Sequence, residues 1–365
     1  MHLALMDAQA IGEKRPPSDR LSRRGFVSGL GLICAGLALP SRGDVTRRLQ
    51  IRNGVDVHHH LAPPTMIAKA RESGILPEIL GRVTAESSLA DLDRAGFTTA
   101  VTSISWPGIH FSDADTTVRL ARECNEFAAT LNSRFPGRFG MFTTLPMPLV
   151  DQSLTEIAYG LDILKADGVH LWTSYGDRWL GHPDFQPVLA ELHRRRAVVF
   201  VHPSTAACCG NLVLDVPVGV VEYGTDTSRA IASLLFSGSA SRYRDIKFIF
   251  AHAGGTAPYL LERMLFNARK PEVAARLPQG VLFELRRFYY ETAQATNRGT
   301  LISLKDLVSS SQILCGSDYP YRTAQENVSG LQESHLFNLK ELEAICSSNA
   351  RELLPHLGAP LSSRS

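Results

Sequence analysis

Four short motifs built on histidine and aspartate follow one another along the chain. They are Asp56-Val57-His58-His59-His60, Val201-His202-Pro203, Ala251-His252-Ala253-Gly254-Gly255 and Gly316-Ser317-Asp318-Tyr319-Pro320. Each follows an apolar run rich in β-branched or aromatic residues, where a strand is expected to end. Imidazoles and carboxylates collected at strand ends are what a divalent-metal site on a (β/α)8 barrel requires. Side chains alternate along a strand, which places Asp56, His58 and His60 on one side and His59 on the other, as a packing or supporting residue. His202 supplies a third imidazole, and Asp318, held between Gly316 and Pro320, a carboxylate. Three histidines and one carboxylate satisfy Zn²⁺ and leave a coordination position for substrate or water. His252 is then either a fifth ligand or a proton-transfer group, and the four-ligand count favours proton transfer. The glycines after it allow close backbone approach to a ligand.

The elements that must position these residues read as a single α/β domain. Strand-like segments at 50–57, 99–104, 139–145, 168–173, 197–201, 246–251, 288–292 and 312–316 alternate with amphipathic stretches at 113–134, 151–165, 184–195, 228–236 and 258–267. Eight strands alternating with helices argue for parallel βα units closed into a TIM-like (β/α)8 barrel spanning 48–355. The longest connection without clear periodicity, 203–227, reads as a lid or pocket wall after the fifth strand. Within it Asp226-Thr227 reads as a helix N-cap, with Arg229 just beyond. Trp106, His110, Trp172, Tyr175 and Tyr319 follow strands and are candidates for an aromatic pocket.

The composition is that of an ordinary globular protein: 365 residues, 20% charged, net charge +2. That balance gives no support to a nucleic-acid partner. The basic residues concentrate only near the N-terminus. There Ser22-Arg23-Arg24-Gly25-Phe26-Val27 leads into a glycine-containing apolar stretch at 30–39, too short to span a bilayer. Residues 1–45 therefore read as a cleavable twin-arginine export signal, with a periplasmic or secreted destination and no membrane attachment after its removal. Such export carries folded proteins, so the cysteines need not pair. Cys34 lies in the signal. Cys124, Cys208, Cys209, Cys315 and Cys346 show no metal-type spacing and read as buried small apolar residues.

The four motifs, with Thr144-Leu145-Pro146 and Phe288-Tyr289-Tyr290-Glu291-Thr292-Ala293, resemble the amidohydrolase-related superfamily. More narrowly they resemble the metal-dependent decarboxylases related to aminocarboxymuconate-semialdehyde decarboxylase. Stretches 168–181, 195–203 and 251–259 look most like the 6-methylsalicylate decarboxylase branch. The resemblance covers nearly all of the chain after the signal. It implies metal ligands His58, His60, His202 and Asp318, with His252 as the catalytic histidine. Binuclear barrels of this kind carry a bridging lysine at the end of the fourth strand. Here that segment is Gly168-Val169-His170-Leu171-Trp172-Thr173, so one divalent ion per chain is expected, Zn²⁺ first and Mn²⁺ second. His170 reads as a packing residue. Two departures concern the substrate. Gly255 stands where resorcylate-type relatives carry a glutamate, and the substrate arginines of the semialdehyde enzyme have no clear counterpart, Arg82 being only roughly placed.

The reading that follows is non-oxidative decarboxylation of a small aromatic or unsaturated carboxylic acid, with His252 or Asp318 delivering the proton. The alternative is a metal-dependent hydrolase of a lactone, ester or amide, with Asp318 as general base. A periplasmic binding protein without turnover is the third class. A small carboxylic acid is the expected partner, and a homo-oligomer is compatible with the chain.

Overall fold

The computed structural model describes residues 51–111, 113–209 and 215–357. Eight parallel strands follow one another in chain order: β1 Gly54–Leu61, β2 Phe97–Ile104, β3 Phe139–Thr144, β4 Gly168–Trp172, β5 Val198–His202, β6 Lys247–Phe250, β7 Tyr289–Glu291 and β8 Ile313–Leu314. Strand neighbours pair in register, for example Val169 with Val199 across β4 and β5, and Val199 with Phe248 across β5 and β6. The segment after β8 closes the ring onto β1. Val57 N–H donates to the Cys315 carbonyl at 3.0 Å, Asp318 N–H to that of His58 at 2.8 Å, and His60 N–H to that of Tyr319 at 2.9 Å. This is the arrangement of a (β/α)8 barrel, with strands apolar on both faces because both are covered. A short hairpin, Ser174–Tyr175 with Arg178–Trp179, projects beyond β4.

The helices start and stop where local chemistry directs. The helix α1, Ala85–Ala95, opens with a capping box in which the Thr84 hydroxyl accepts from Ser87 N–H. It ends at Gly96, whose φ of 74° and close approach to the Ile51 carbonyl exclude a side chain. The helix α2, Ala114–Arg134, is capped by Asp113. A cluster of strand residues, among them Val55, Val57, Val101, Phe142, Phe200, Ile249 and Leu314, fills the barrel together with Ala350, Leu354 and Leu357. A larger cluster joins the outer faces of the strands to the helices.

Three expectations need correction. The first strand begins four residues later than its apolar run suggests. Asn53 sits at φ 60°, and the missing side chain of Gly54 makes room for the Phe97 ring. The three histidines therefore lie within β1 rather than after it. Pairing then skips a step: Asp56 opposes Ala100, and His59 opposes Thr102. Three residues on β1 match two on β2, a bulge that interrupts alternation. Asp56 consequently bonds His59 Nδ1 at 3.0 Å instead of sharing the side of His58 and His60. Finally, residues 218–227 belong to a long helix, α3, Val218–Phe236, so Asp226 is inside a helix and is no N-cap. Its glycines and β-branched residues hide this from propensity, and packing against Gly255 and Thr256 holds it. The export-signal reading falls outside the described residues.

Candidate metal centre

β1 presents His58 and His60 to the C-terminal mouth of the barrel, and β5 ends on His202. Asp318 comes from the turn after β8, at φ 66°, a conformation aspartate tolerates better than most residues. Asp56 holds this turn by accepting from Ser317 N–H at 2.9 Å and from its hydroxyl at 2.5 Å. The result is a tight group. His58 Nε2 and His60 Nε2 are 3.1 Å apart, and Asp318 Oδ1 lies 3.2 Å from the first and 3.0 Å from the second. The His202 ring packs edge-on to both at centroid distances of 4.9 Å. One donor atom from each of the four lies within 4.8 Å of all the others. All four residues are buried.

The outer nitrogens explain why the inner ones converge. His58 Nδ1 is 2.9 Å from Glu291 Oε1, His202 Nδ1 is 2.8 Å from the Pro203 carbonyl, and His60 Nδ1 is 3.4 Å from the Ser103 hydroxyl. With Nδ1 tied to acceptors in His58 and His202, the Nε2 lone pairs point inward. His202 Nε2 is buried and has no hydrogen-bond partner within the protein. Converging lone pairs, an orphaned buried nitrogen and an acceptor carboxylate are the donor set of a divalent cation. Ligand atoms of a tetrahedral zinc site stand about 3.3 Å apart, from metal–ligand bonds of about 2.0–2.1 Å, comparable with the closest separations here.

The electrostatics agree. Burial, reinforced by the charges of His58 and His60, holds the His202 pKa well below its ordinary value, so the ring is neutral. Burial lowers that of His60 as well. At His58 burial opposes the charged form, but the Glu291 and Asp318 carboxylates outweigh it and push the pKa up to about 10. Asp318 is held well below the usual carboxylate range: burial opposes this, and the His58 charge prevails. The pocket thus carries two buried carboxylates calling for positive charge, which a cation among the nitrogens supplies.

His252 stands beside this group, its ring centroid 5.1 Å from that of His58 and 5.7 Å from that of His202. Its Nδ1 lies 2.9 Å from the Ala293 carbonyl, which leaves Nε2 as the nitrogen available for proton transfer. Two residues outside the sequence-derived site also belong to it. Glu291, buried at the end of β7, touches both His58 and the His252 backbone. Its one sequence signal is its place in a motif at a strand end. Gln294 donates through Nε2 to Asp318 Oδ2; no pattern in the sequence marks it.

Asp318, His202 and Gln294 open onto a cavity of about 450 Å³ walled by Trp106, Tyr223 and Tyr321. Among the described residues lining it there is no Lys or Arg. Pro217, Gly219 and Val220 make one side, so the connection after β5 does form a pocket wall. Trp106 also borders a second cavity of about 480 Å³ with His110, Trp172 and Tyr175. Tyr319 is not in either lining: it stacks on His59 at 4.5 Å and bonds Ser87. His170 is buried against Trp172, at a centroid distance of 4.7 Å, and stands apart from the four-residue group. Arg82 pairs with Glu78 on the surface. Asp226 accepts from Thr173, Ser174 and Trp179, while Arg229 pairs with Glu222. Cys208 is exposed, against the expectation of burial, with its Sγ 2.8 Å from that of Cys209.

The family model described as amidohydrolase matches residues 55–356. A decarboxylase of Aspergillus niger is 34% identical over 330 residues, covering 84% of this chain and 88% of that protein. A 6-methylsalicylic acid decarboxylase of Penicillium expansum is 35% identical over 274 residues, 73% of this chain and 84% of the relative. Among solved structures, 5-carboxyvanillate decarboxylase of Sphingomonas paucimobilis superposes with a TM-score of 0.75 at 18% identity, covering 84% of this chain and 99% of that one.

Proposed function

The chain belongs to the amidohydrolase family, and from that premise we propose that it is a metal-dependent, non-oxidative decarboxylase of a small aromatic carboxylic acid. The observation that carries the proposal is the buried His58, His60, His202 and Asp318 group opening onto an aromatic-walled cavity, with His252 beside it. Relatives more than 30% identical that act as decarboxylases support the reaction class over hydrolysis. A cavity of about 450 Å³ suits a single substituted ring. The lack of Lys and Arg in its described lining suits an acid whose one anionic group is the carboxylate at the metal centre.

His58, His60, His202 and Asp318 would hold one divalent ion, Zn²⁺ or, as the second choice, Mn²⁺. Bound there, the ion would supply Lewis acidity toward the substrate's carboxylate end. The chain does the rest. Trp106, Tyr223 and Tyr321 orient the ring and exclude water. Protonated His252, its Nδ1 fixed on the Ala293 carbonyl, gives the Nε2 proton to the ring carbon that bears the carboxylate. The bond from that carbon to the carboxylate then breaks, its electron pair restores the aromatic system, and CO₂ departs. Solvent reprotonates His252. Asp318 belongs to the ligand group and its Oδ2 accepts from Gln294, which favours His252 over Asp318 as the proton donor.

Turnover of an alkyl-substituted salicylate in D₂O tests this. One CO₂ should leave per product, and the product should carry one deuterium on the carbon that bore the carboxylate. Uptake of ¹⁸O from labelled water with every carbon retained would overturn the reading in favour of a hydrolase. Export belongs to the same proposal, on the Arg23-Arg24-Gly25-Phe26-Val27 motif and the apolar stretch after it. Among the described residues no helix is long and apolar enough to cross a membrane.

A further inference from the structure

We propose that Glu291 is the positioning residue that locks the first metal ligand and the proton-transfer histidine into one arrangement. The inference rests on the metal-centre reading of His58, His60, His202 and Asp318. Glu291 ends β7 and is fully buried. Its Oε1 accepts from the His58 ring, with Nδ1 at 2.9 Å, and from His252 N–H at 2.6 Å. Its Oε2 accepts from Ala293 N–H at 2.6 Å. The Ala293 carbonyl in turn holds His252 Nδ1 at 2.9 Å. One carboxylate therefore sets the tautomer of His58, the backbone of His252 and, through Ala293, the ring of His252.

Each contact has a physical consequence. An acceptor on His58 Nδ1 keeps the proton there and turns the Nε2 lone pair toward His60 and Asp318. His252 is tied to Glu291 where the backbone is strained: His252 and Ala253 have φ of 54° and 57°, a left-handed conformation unfavourable for a residue with a side chain. The short hydrogen bond from His252 N–H to this charged acceptor opposes that strain. The charge matters as well. A buried carboxylate needs compensation, and among the described residues His58 is the ionisable side chain bonded to it. A dication held by His58 and its neighbours would provide that compensation through the ring. The chain keeps space for this carboxylate: a Cβ on Gly316 would lie 2.0 Å from Glu291 Oε2 and 2.8 Å from His58 Cβ.

Glu291→Gln tests the proposal, because the amide preserves shape but removes the charge and one acceptor. Zn²⁺ binding is measured by competition with a chromogenic chelator, Co²⁺-loaded protein by its visible spectrum, and turnover at saturating metal. The dissociation constant should rise on the order of 10–100-fold, the Co²⁺ bands should shift, and kcat should fall with KM little changed. Glu284→Gln, at a buried carboxylate paired with Arg287 away from the site, is the control for loss of a structural carboxylate. It should lower the melting temperature and leave metal affinity alone. Should Glu291→Gln not fold, Glu291→Asp retains the charge but cannot reach His58, His252 and Ala293 together, and the same losses are expected. Wild-type metal affinity and kcat in whichever variant folds would overturn the inference while the metal-centre reading stands. A wild-type chain that binds no divalent ion would overturn both.

Discussion

Replacing His252 by Ala separates the two roles open to that residue. The ring sits 5.1 Å from His58 and 5.7 Å from His202, centroid to centroid, yet it lies outside the four-residue group whose donor atoms come within 4.8 Å of one another. It can also be grouped with His58 and Glu291, so a ligand role is a real competitor. As a proton-transfer group it touches the reacting carbon and not the ion. Its removal then costs a general-acid contribution, on the order of 10²–10⁴-fold in rate, or about 3–5 kcal/mol of transition-state stabilisation. The loss should fall on kcat, because the cavity walls Trp106, Tyr223 and Tyr321 that hold the ring are untouched. The assay has two arms: metal content after gel filtration by mass spectrometry, and steady-state CO₂ release at saturating metal. One ion per chain with kcat reduced at least 100-fold is expected. Loss of the ion together with activity would refute the assignment and make His252 a ligand. Full metal with undiminished kcat would remove it from the chemistry.

Purified protein should hold about one divalent ion per chain, and His202→Ala should lose ion and activity together, because the orphaned Nε2 of His202 is one of the four donors; two tightly bound ions by elemental analysis would contradict this. Phe200 is fully buried, stacked on Phe142 at 5.4 Å and set under His58 at 4.9 Å. Phe200→Ala should cost about 3–5 kcal/mol in urea unfolding and loosen metal binding, and an unchanged midpoint would show that the barrel plug does not support the site. Replacing Arg23 and Arg24 by Lys should leave folded protein in the cytoplasm on cell fractionation, whereas unchanged accumulation in the periplasm would refute the twin-arginine reading.

The amino-acid sequence by itself determined the eight βα units, because parallel strands covered on both faces must read as short continuous apolar runs, and those runs are local. It also marked the segments that supply the histidines and the aspartate, though not that His58 and His60 lie inside the first strand. The caps of the helices were equally local: Asp113 begins its helix because a carboxylate satisfies the first free N–H groups, whatever lies elsewhere. Tertiary structure decided what depends on partners distant in the chain. The start of β1 shifted to Gly54 because Phe97, more than forty residues on, needs the space a side chain would take. The bulge between Asp56 and His59 turned Asp56 toward Ser317 and His59, a pairing that alternation along one strand cannot express. The helix at 218–227, poor in intrinsic propensity, is held by Gly255 and Thr256 of another loop. Tyr319 left the pocket for His59 because closure of the ring brings the two together. Glu291 and Gln294 joined the site for the same reason: neither residue type nor spacing identifies a side chain whose role is to hold another. A ligand is recognisable by its own chemistry at a strand end, whereas the groups that orient it acquire their role only when the barrel closes and sets a carboxylate 2.9 Å from a ring that lies 233 residues away in the chain.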